Sequence, residues 1–198
     1  MSQNEQLLLE KAKAGDIAAF EELIESYQKK IFNLAYRILG NYEDAGDMAQ
    51  EALIRIFRSI ASFKEQSSFS TWVYRITTNV CLDEIRKKKN KKVISLDEEI
   101  RMEDGEIKRQ IMSDDIQPDA AAEIEELRTL VNGAINSLPE DQRLVITLRD
   151  IQGLSYDEIS SVLNCPSGTV KSRINRARQA LKNILSTRRE LIDEEYVK

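Results

Sequence analysis

Between Thr169 and Arg189 the chain carries seven basic residues (Lys171, Arg173, Arg176, Arg178, Lys182, Arg188 and Arg189) and no acid. Ammonium and guanidinium groups concentrated in this way neutralise phosphates, while small polar groups among them reach base edges. At about 100° per residue, Thr169, Ser172, Arg176 and Gln179 point away from Val170, Ile174, Ala177, Leu181, Ile184 and Leu185. Arg173 and Asn175 lie on the flanks, and Lys171 and Arg178 near the edges of the apolar stripe. The segment therefore reads as one helix with a buried face and an opposite polar, basic face. Just upstream, Ser155 and Glu158 stand at the spacing of a capping box, followed by an apolar stripe of Ile159, Val162 and Leu163. Asn164, Cys165, Pro166, Ser167 and Gly168 then break the periodicity. Two helices joined by a tight turn, the second one basic, form the pattern of a helix-turn-helix that reads duplex DNA. A solvated helix with ordinary surface charge is the plainer reading. The cap, the turn and the one-sided charge together favour DNA.

A second basic block, Arg86, Lys87, Lys88, Lys89, Lys91 and Lys92, closes a segment that also holds Phe63, Phe69, Trp72 and Tyr74. Bases at a helix C-terminus complement its dipole, but six exceed what capping needs and also suit a phosphate backbone. Aromatics beside a basic track can stack single-stranded bases. For any one of these aromatics taken alone, a place in the core is the better reading.

The elements that position these residues follow from periodicity. A short helix over Leu7–Ala14 ends at Gly15. Asp16 caps a second that runs to about Leu39 and stops at Gly40. Asn41 or Tyr42 starts a third through Phe57, with Asp44, Asp47, Gln50, Glu51 and Arg55 on its polar side. A polar loop leads to a fourth helix from about Ser70 to Asn90. Helical spacing returns from Ala120 to Asn136. Leu138-Pro139-Glu140-Asp141 opens another helix that ends at Gly153, and the helix-turn-helix follows. The expected class is all-α: two small helical domains joined by a flexible acidic linker. Their bounds are 1–92 and 120–187, with the linker at 93–119 and an acidic tail at 188–198.

Composition supports this division. The 198 residues are 41% hydrophobic and 32% charged, with 7 Gly and 3 Pro, as in a helical globular chain. The net charge of −5 conceals an uneven distribution: residues 93–119 hold nine acids against three bases, which leaves the remainder slightly positive. No histidine is present, so a Ser-His-Asp triad, a Cys-His pair and most zinc sites are excluded. No metal, cofactor or catalytic set is expected, and Cys81 and Cys165 read as two reduced thiols. No apolar run is long enough for a bilayer, and the N-terminal residues do not read as a signal peptide. The expected location is the cytoplasm, without membrane insertion.

The chain resembles the extracytoplasmic-function (ECF) group of bacterial RNA polymerase sigma factors. The resemblance rests on DAGDMAQEALIRIF (44–57), FKEQSSFSTWVYRITTNVCLDEIRKKK (63–89) and SLPEDQRLVITLRDIQGLSYDEISSVLNCPSGTVKSRINRARQAL (137–181). It implies a protein that is not an enzyme but binds core RNA polymerase and directs it to promoters. Asp47, Gln50 and Glu51 would dock on the clamp of the largest polymerase subunit. Phe63, Ser68, Phe69, Trp72 and Asn79 would capture melted bases of the minus-ten element, and Lys87, Lys88 and Lys89 would hold the adjacent backbone. Arg149, Thr169, Lys171, Ser172, Arg173, Asn175 and Arg176 would read the minus-thirty-five element as duplex. The acidic linker would thread toward the RNA exit path. An anti-sigma factor, in this group often membrane-bound, is a further implied partner. Three positions depart from the family pattern: Lys171, where Arg is frequent; Asn175, where the residue varies; and Gly46, where an acid is usual. Two other readings of the residues stand beside this one. A self-sufficient DNA-binding regulator predicts tight duplex binding without polymerase. A helical adaptor for proteins leaves both basic blocks unexplained.

Overall fold

The computed structural model describes the backbone of residues 3–94 and 118–196, and the side chains of 3–90 and 127–187. Among the described residues every regular element is helical. The α-helices are α1 (Gln3–Lys13), α2 (Ile17–Leu39), α3 (Tyr42–Ser59), α4 (Phe69–Ile94), α5 (Pro118–Asn136), α6 (Glu140–Ile146), α7 (Tyr156–Leu163) and α8 (Ser167–Tyr196). The expected linker of 93–119 lies almost wholly outside the described residues, and so do the side chains of Lys91 and Lys92 and of the acidic tail.

Local chemistry sets the helix ends. Asp16 accepts a hydrogen bond from the Ala19 N–H and caps α2. Gly40, at φ 74°, ends α2 in the left-handed region and donates its N–H to the Tyr36 carbonyl. Asn41 caps α3 through the Asp44 N–H. Ser68 caps α4, its Oγ accepting the Thr71 N–H at 3.1 Å.

In the N-terminal unit, α1–α4 close around Leu9, Leu23, Ile24, Tyr27, Ile31, Ala52, Ile56, Phe69, Val73 and Val80. The Tyr27 hydroxyl donates to Glu5, and burial in the first place raises its pKa. In the C-terminal unit, α5–α8 bury Ile135, Leu138, Leu144, Val145, Leu148, Ile159, Val162, Val170, Ile174 and Ala177. The same cluster takes in Leu34, Ala35, Ile38, Tyr74 and Cys81 from α2 and α4, so the two units share one apolar seam. Arg143 donates from Nη2 to the Ile38 carbonyl at 2.8 Å across this seam, and its burial lowers its pKa. Arg37 meets Asn132 at 2.9 Å. Burial pushes the Cys81 thiol up to about 12.

One expected helix divides. The sequence pattern predicts a continuous helix from Pro139 to Gly153, but α6 ends at Ile146 and Thr147–Ile151 winds as a wider π turn. Gln152 donates to the Thr147 carbonyl at 3.0 Å, five residues back, and Leu154 to Leu148 at the same distance. The wider turn brings Leu154 back into the core at 4% exposure, which a continued α-helix would not do.

Gly46 sits inside α3 with open space around the position of a Cβ. Gly46→Ala should therefore raise stability by about 0.5–1 kcal/mol, read as a higher denaturant midpoint at unchanged m-value. A lower midpoint would show that this glycine is needed for close packing.

Candidate nucleic-acid interface

The helix-turn-helix is built as its sequence predicts. Ser155 Oγ accepts from the Glu158 N–H, and Glu158 Oε2 accepts from the Ser155 N–H at 2.8 Å, a complete capping box. Asn164, at φ 48°, supplies the left-handed C-cap. Ser160 Oγ donates to the Cys165 carbonyl and fastens the turn. On α8, Val170, Ile174 and Ala177 are buried, whereas Lys171, Ser172, Asn175 and Arg176 are exposed and Thr169 and Arg173 half-exposed. Ser172 Oγ donates to the Thr169 carbonyl at 2.9 Å. The N-terminal half of α8 thus presents a polar, positive face to solvent, with its register held by the core beneath.

Arg149 is placed differently from this group. From the π turn it donates Nη1 to the Leu154 carbonyl at 2.6 Å and lies over the Tyr156 ring at 5.0 Å. It braces the entry to α7, and its remaining N–H groups are left for other acceptors. Arg178 forms a two-point pair with Asp150, one arm at 3.2 Å, which ties α8 to the same turn.

The second surface surrounds the loop before α4. Ser62, Phe63, Lys64, Gln66, Ser67, Trp72 and Arg75 line a cavity of about 380 Å³, and Ser161 of α7 completes its wall. Phe63 and Trp72 pack with ring centroids 5.0 Å apart, and each lies 5.7 Å from Phe69. Phe69 is fully buried and meets Tyr27 edge-on at 5.2 Å. The resemblance groups Phe69 with the base-capturing residues; in this arrangement its ring is covered and backs Phe63 and Trp72 from the core side. Phe63 and Trp72 are buried at 5% and 7% exposure, yet both border the cavity. Asn79 is exposed and two helical turns beyond Trp72 on the same face of α4.

Ser68 does more than cap α4. Thr71 Oγ1 donates to Glu158 Oε1 at 2.6 Å, so the 2.7 Å contact between Ser68 Oγ and Thr71 Oγ1 must be donated by Ser68. The Thr71 hydroxyl first, and then the Ser155 N–H, hold the Glu158 carboxyl below the usual range. Two features escaped the sequence reading. Arg75 lines the pocket, and its only signal is its position three residues after Trp72 and four before Asn79. Glu65 stands at φ 56°, an uncommon conformation for this residue type, and Lys13 binds its carboxylate at 2.6 Å.

Three lysines of the second basic block, Lys87, Lys88 and Lys89, are already paired. Lys87 meets Glu84 at 3.6 Å, Lys88 meets Asp44, and Lys89 reaches Glu140 on the other unit. All three are exposed, so solvent and salt screen these pairs and leave each lysine able to change partners. On α3, Asp47 and Gln50 are exposed beside Ile54, and Glu51 binds Arg55 at 2.7 Å.

The comparisons with known proteins agree with this layout. Residues 23–91 match the model of Sigma-70 region 2, and residues 128–181 that of Sigma-70 region 4. The chain is 43% identical to the ECF RNA polymerase sigma factor SigW of Bacillus subtilis over 178 residues, 89% of this chain and 94% of that protein. It is 39% identical to the ECF RNA polymerase sigma-E factor of Escherichia coli K12, over 90% of this chain and 93% of the relative. The sigma factor RpoE of Bartonella quintana, solved in complex with the anti-sigma factor NepR, superposes with a TM-score of 0.67 at 25% identity, covering 86% of this chain and 98% of that one. CnrH, solved with the cytosolic domain of CnrY, shares the fold at a TM-score of 0.64 and 23% identity, covering 93% and 99% of the two chains. With both regions present in order, and relatives matched along nearly their whole length, the chain belongs to the ECF group of RNA polymerase sigma factors and is an alternative sigma factor that directs promoter-specific transcription.

Proposed function

We propose that the chain acts as an initiation factor rather than an enzyme, with its two units gripping different forms of promoter DNA while core polymerase holds them apart. One observation carries this reading: an exposed basic helix face and an aromatic-walled cavity, suited to different forms of nucleic acid, occur on one chain. The exposed face of α8 is a rigid, basic helix suited to a major groove. The cavity at Phe63–Ser67 has aromatic walls and a polar rim, which suit an extruded base. Phe63, Ser68, Trp72 and Asn79, with Arg75 added, form the strand-capture set; Phe69 supports them. Lys87, Lys88 and Lys89 exchange carboxylates for phosphates of the adjacent strand. Thr169, Lys171, Ser172, Arg173, Asn175 and Arg176 read the minus-thirty-five duplex, with Arg149 on a phosphate.

Asp47, Gln50 and Glu51 dock on the polymerase clamp, and exposed Ile54 adds an apolar contact within the same face. The complex of RpoE with the anti-sigma factor NepR supports an anti-sigma partner for this chain as well. Among the described residues no helix is long and apolar enough to cross a membrane. A cytoplasmic site of action is proposed from the family.

The test is transcription from a random-promoter library by core polymerase with and without the chain. Start sites that appear only with the chain, and share two spaced motifs, are expected. Unchanged start sites would reject the proposal. Lys88→Ala should weaken promoter binding by a similar factor on all sequences. It should also lower the slope of log K against log salt by up to about 0.7–0.9. Anisotropy titrations of the holoenzyme at several salt concentrations read both effects.

A further inference from the structure

The loop that rims the strand cavity is fastened from outside it. Lys64 and Gln66 stand on the cavity wall, and Glu65 between them does not. The Glu65 carboxylate instead meets the Lys13 ammonium of α1 at 2.6 Å. Glu65 has φ 56°, and among the described residues Asn164 is the other non-glycine in that left-handed region. Asn164 caps a helix, where asparagine is a usual choice. Asparagine and aspartate offset the left-handed conformation with short local hydrogen bonds, for which the glutamate side chain is too long. For Glu65 the offsetting partner lies 52 residues away in sequence.

The anchor itself is held firmly. Leu9 and Ala12 of α1 are buried in the same cluster as Ile60 and Phe63. α1 also packs against the short 3₁₀ turn Ile60–Ser62 that leads into the loop. Gly15, at φ 96°, stops α1 just beyond Lys13. Lys13 is half-buried, and its hydrogen bond to Glu65 raises its pKa. At one end of the loop the Phe63 N–H donates to the Ile60 carbonyl at 3.0 Å, and at the other Ser68 caps α4. Between these fixed ends the Lys13 contact ties the middle of the loop to a second element.

We propose that Lys13 and Glu65 are positioning residues for base recognition: the pair fixes the loop so that the Lys64 ammonium and the Gln66 amide face the extruded base, and it thereby sets the preference at that promoter position. The proposal rests on the strand-capture reading above and adds to it a residue of α1 that stands outside the cavity. Stacking alone reads a base weakly, because every base has a π face. Discrimination needs polar groups at fixed places around the base edge. Lys64 and Gln66 supply such groups only while the loop keeps one conformation.

The test uses the full chain with core polymerase and a promoter library randomised across both elements. Gln66→Ala, on the rim itself, identifies the captured position as the minus-ten base whose preference it flattens. The readout is the ratio of recovered bases at that position, which a general loss of stability or affinity leaves in place. Lys13→Ala should flatten the ratio by roughly two- to fivefold, the reach of an exposed ion pair. Glu65→Gly keeps the left-handed turn but removes the carboxylate, and it should flatten the ratio to a similar extent. The double variant should add little to either single change, and Lys13→Arg should retain the parent ratio. The minus-thirty-five motif should be the same in every variant. A parent-like ratio in Lys13→Ala or in Glu65→Gly, with Gln66→Ala flattened, would overturn the positioning role and keep the pocket. A parent-like ratio at every minus-ten position in both Gln66→Ala and Lys64→Ala would overturn the strand-capture reading and the positioning role with it.

Discussion

Phe69→Ala should destabilise the N-terminal helices by about 3–5 kcal/mol, the range for a buried aromatic cut back to a methyl group. Phe69 is fully buried at the start of α4 and touches Tyr27, Phe63 and Trp72. Its removal empties space among large rings that are themselves fixed at other contacts, so collapse around the gap is limited. The loss should appear as an early denaturant transition in far-UV circular dichroism. It should also expose Trp72, whose ring rests against Phe69, and shift its emission to the red. Strand capture should fail as a consequence, and a conservative Phe69→Leu should restore most of it. If Phe69→Ala instead leaves stability within about 1 kcal/mol of the parent and abolishes strand binding, Phe69 contacts the base and the pocket has been drawn from the wrong side.

Arg176→Ala should cost about 1–3 kcal/mol of promoter binding and relax the preference at one base pair of the minus-thirty-five element. Arg176 is exposed on α8, one turn beyond Ser172, and the buried Ile174 and Ala177 beside it fix its direction. A guanidinium there is free to bind a guanine edge with two N–H groups. Ser172 already donates its hydroxyl proton to the Thr169 carbonyl, so Ser172→Ala should have the smaller effect. Selection from the promoter library reads both changes, since loss of a base contact alters the recovered motif. An equal fall across all sequences would make Arg176 a phosphate contact instead.

Much of this molecule was legible in its sequence because the signals were local. Asp16, Asn41, Ser155 and Asn164 act within one turn of their own helix ends, and the alternation on α8 is a property of one helix. What could not be read depends on distant partners. Nothing near Phe69 in sequence distinguishes a ring that floors a pocket from one that lines it; Tyr27 on α2 decides that. The π turn at Thr147–Ile151 leaves the apolar spacing intact and appears only when Leu154 has a core to enter. Arg149, which the resemblance assigns to the minus-thirty-five duplex, also contacts Leu154 and Tyr156, and those contacts depend on that same turn. The seam between the units joins residues about a hundred positions apart, as Arg37 with Asn132 shows, and short-range periodicity is blind to it.

The Glu158 carboxylate answers two donors at once, Oε2 for the Ser155 N–H and Oε1 for the Thr71 hydroxyl. An amide would ordinarily serve a helix start as well as an acid does. At this position it offers one oxygen and one NH₂, so glutamine keeps both contacts only if the Thr71 hydroxyl turns to accept from the amide and donates to Ser68 instead. A saturation survey of codon 158 should therefore rank glutamine below glutamate but above the apolar residues. A shorter aspartate would have to abandon one donor to reach the other.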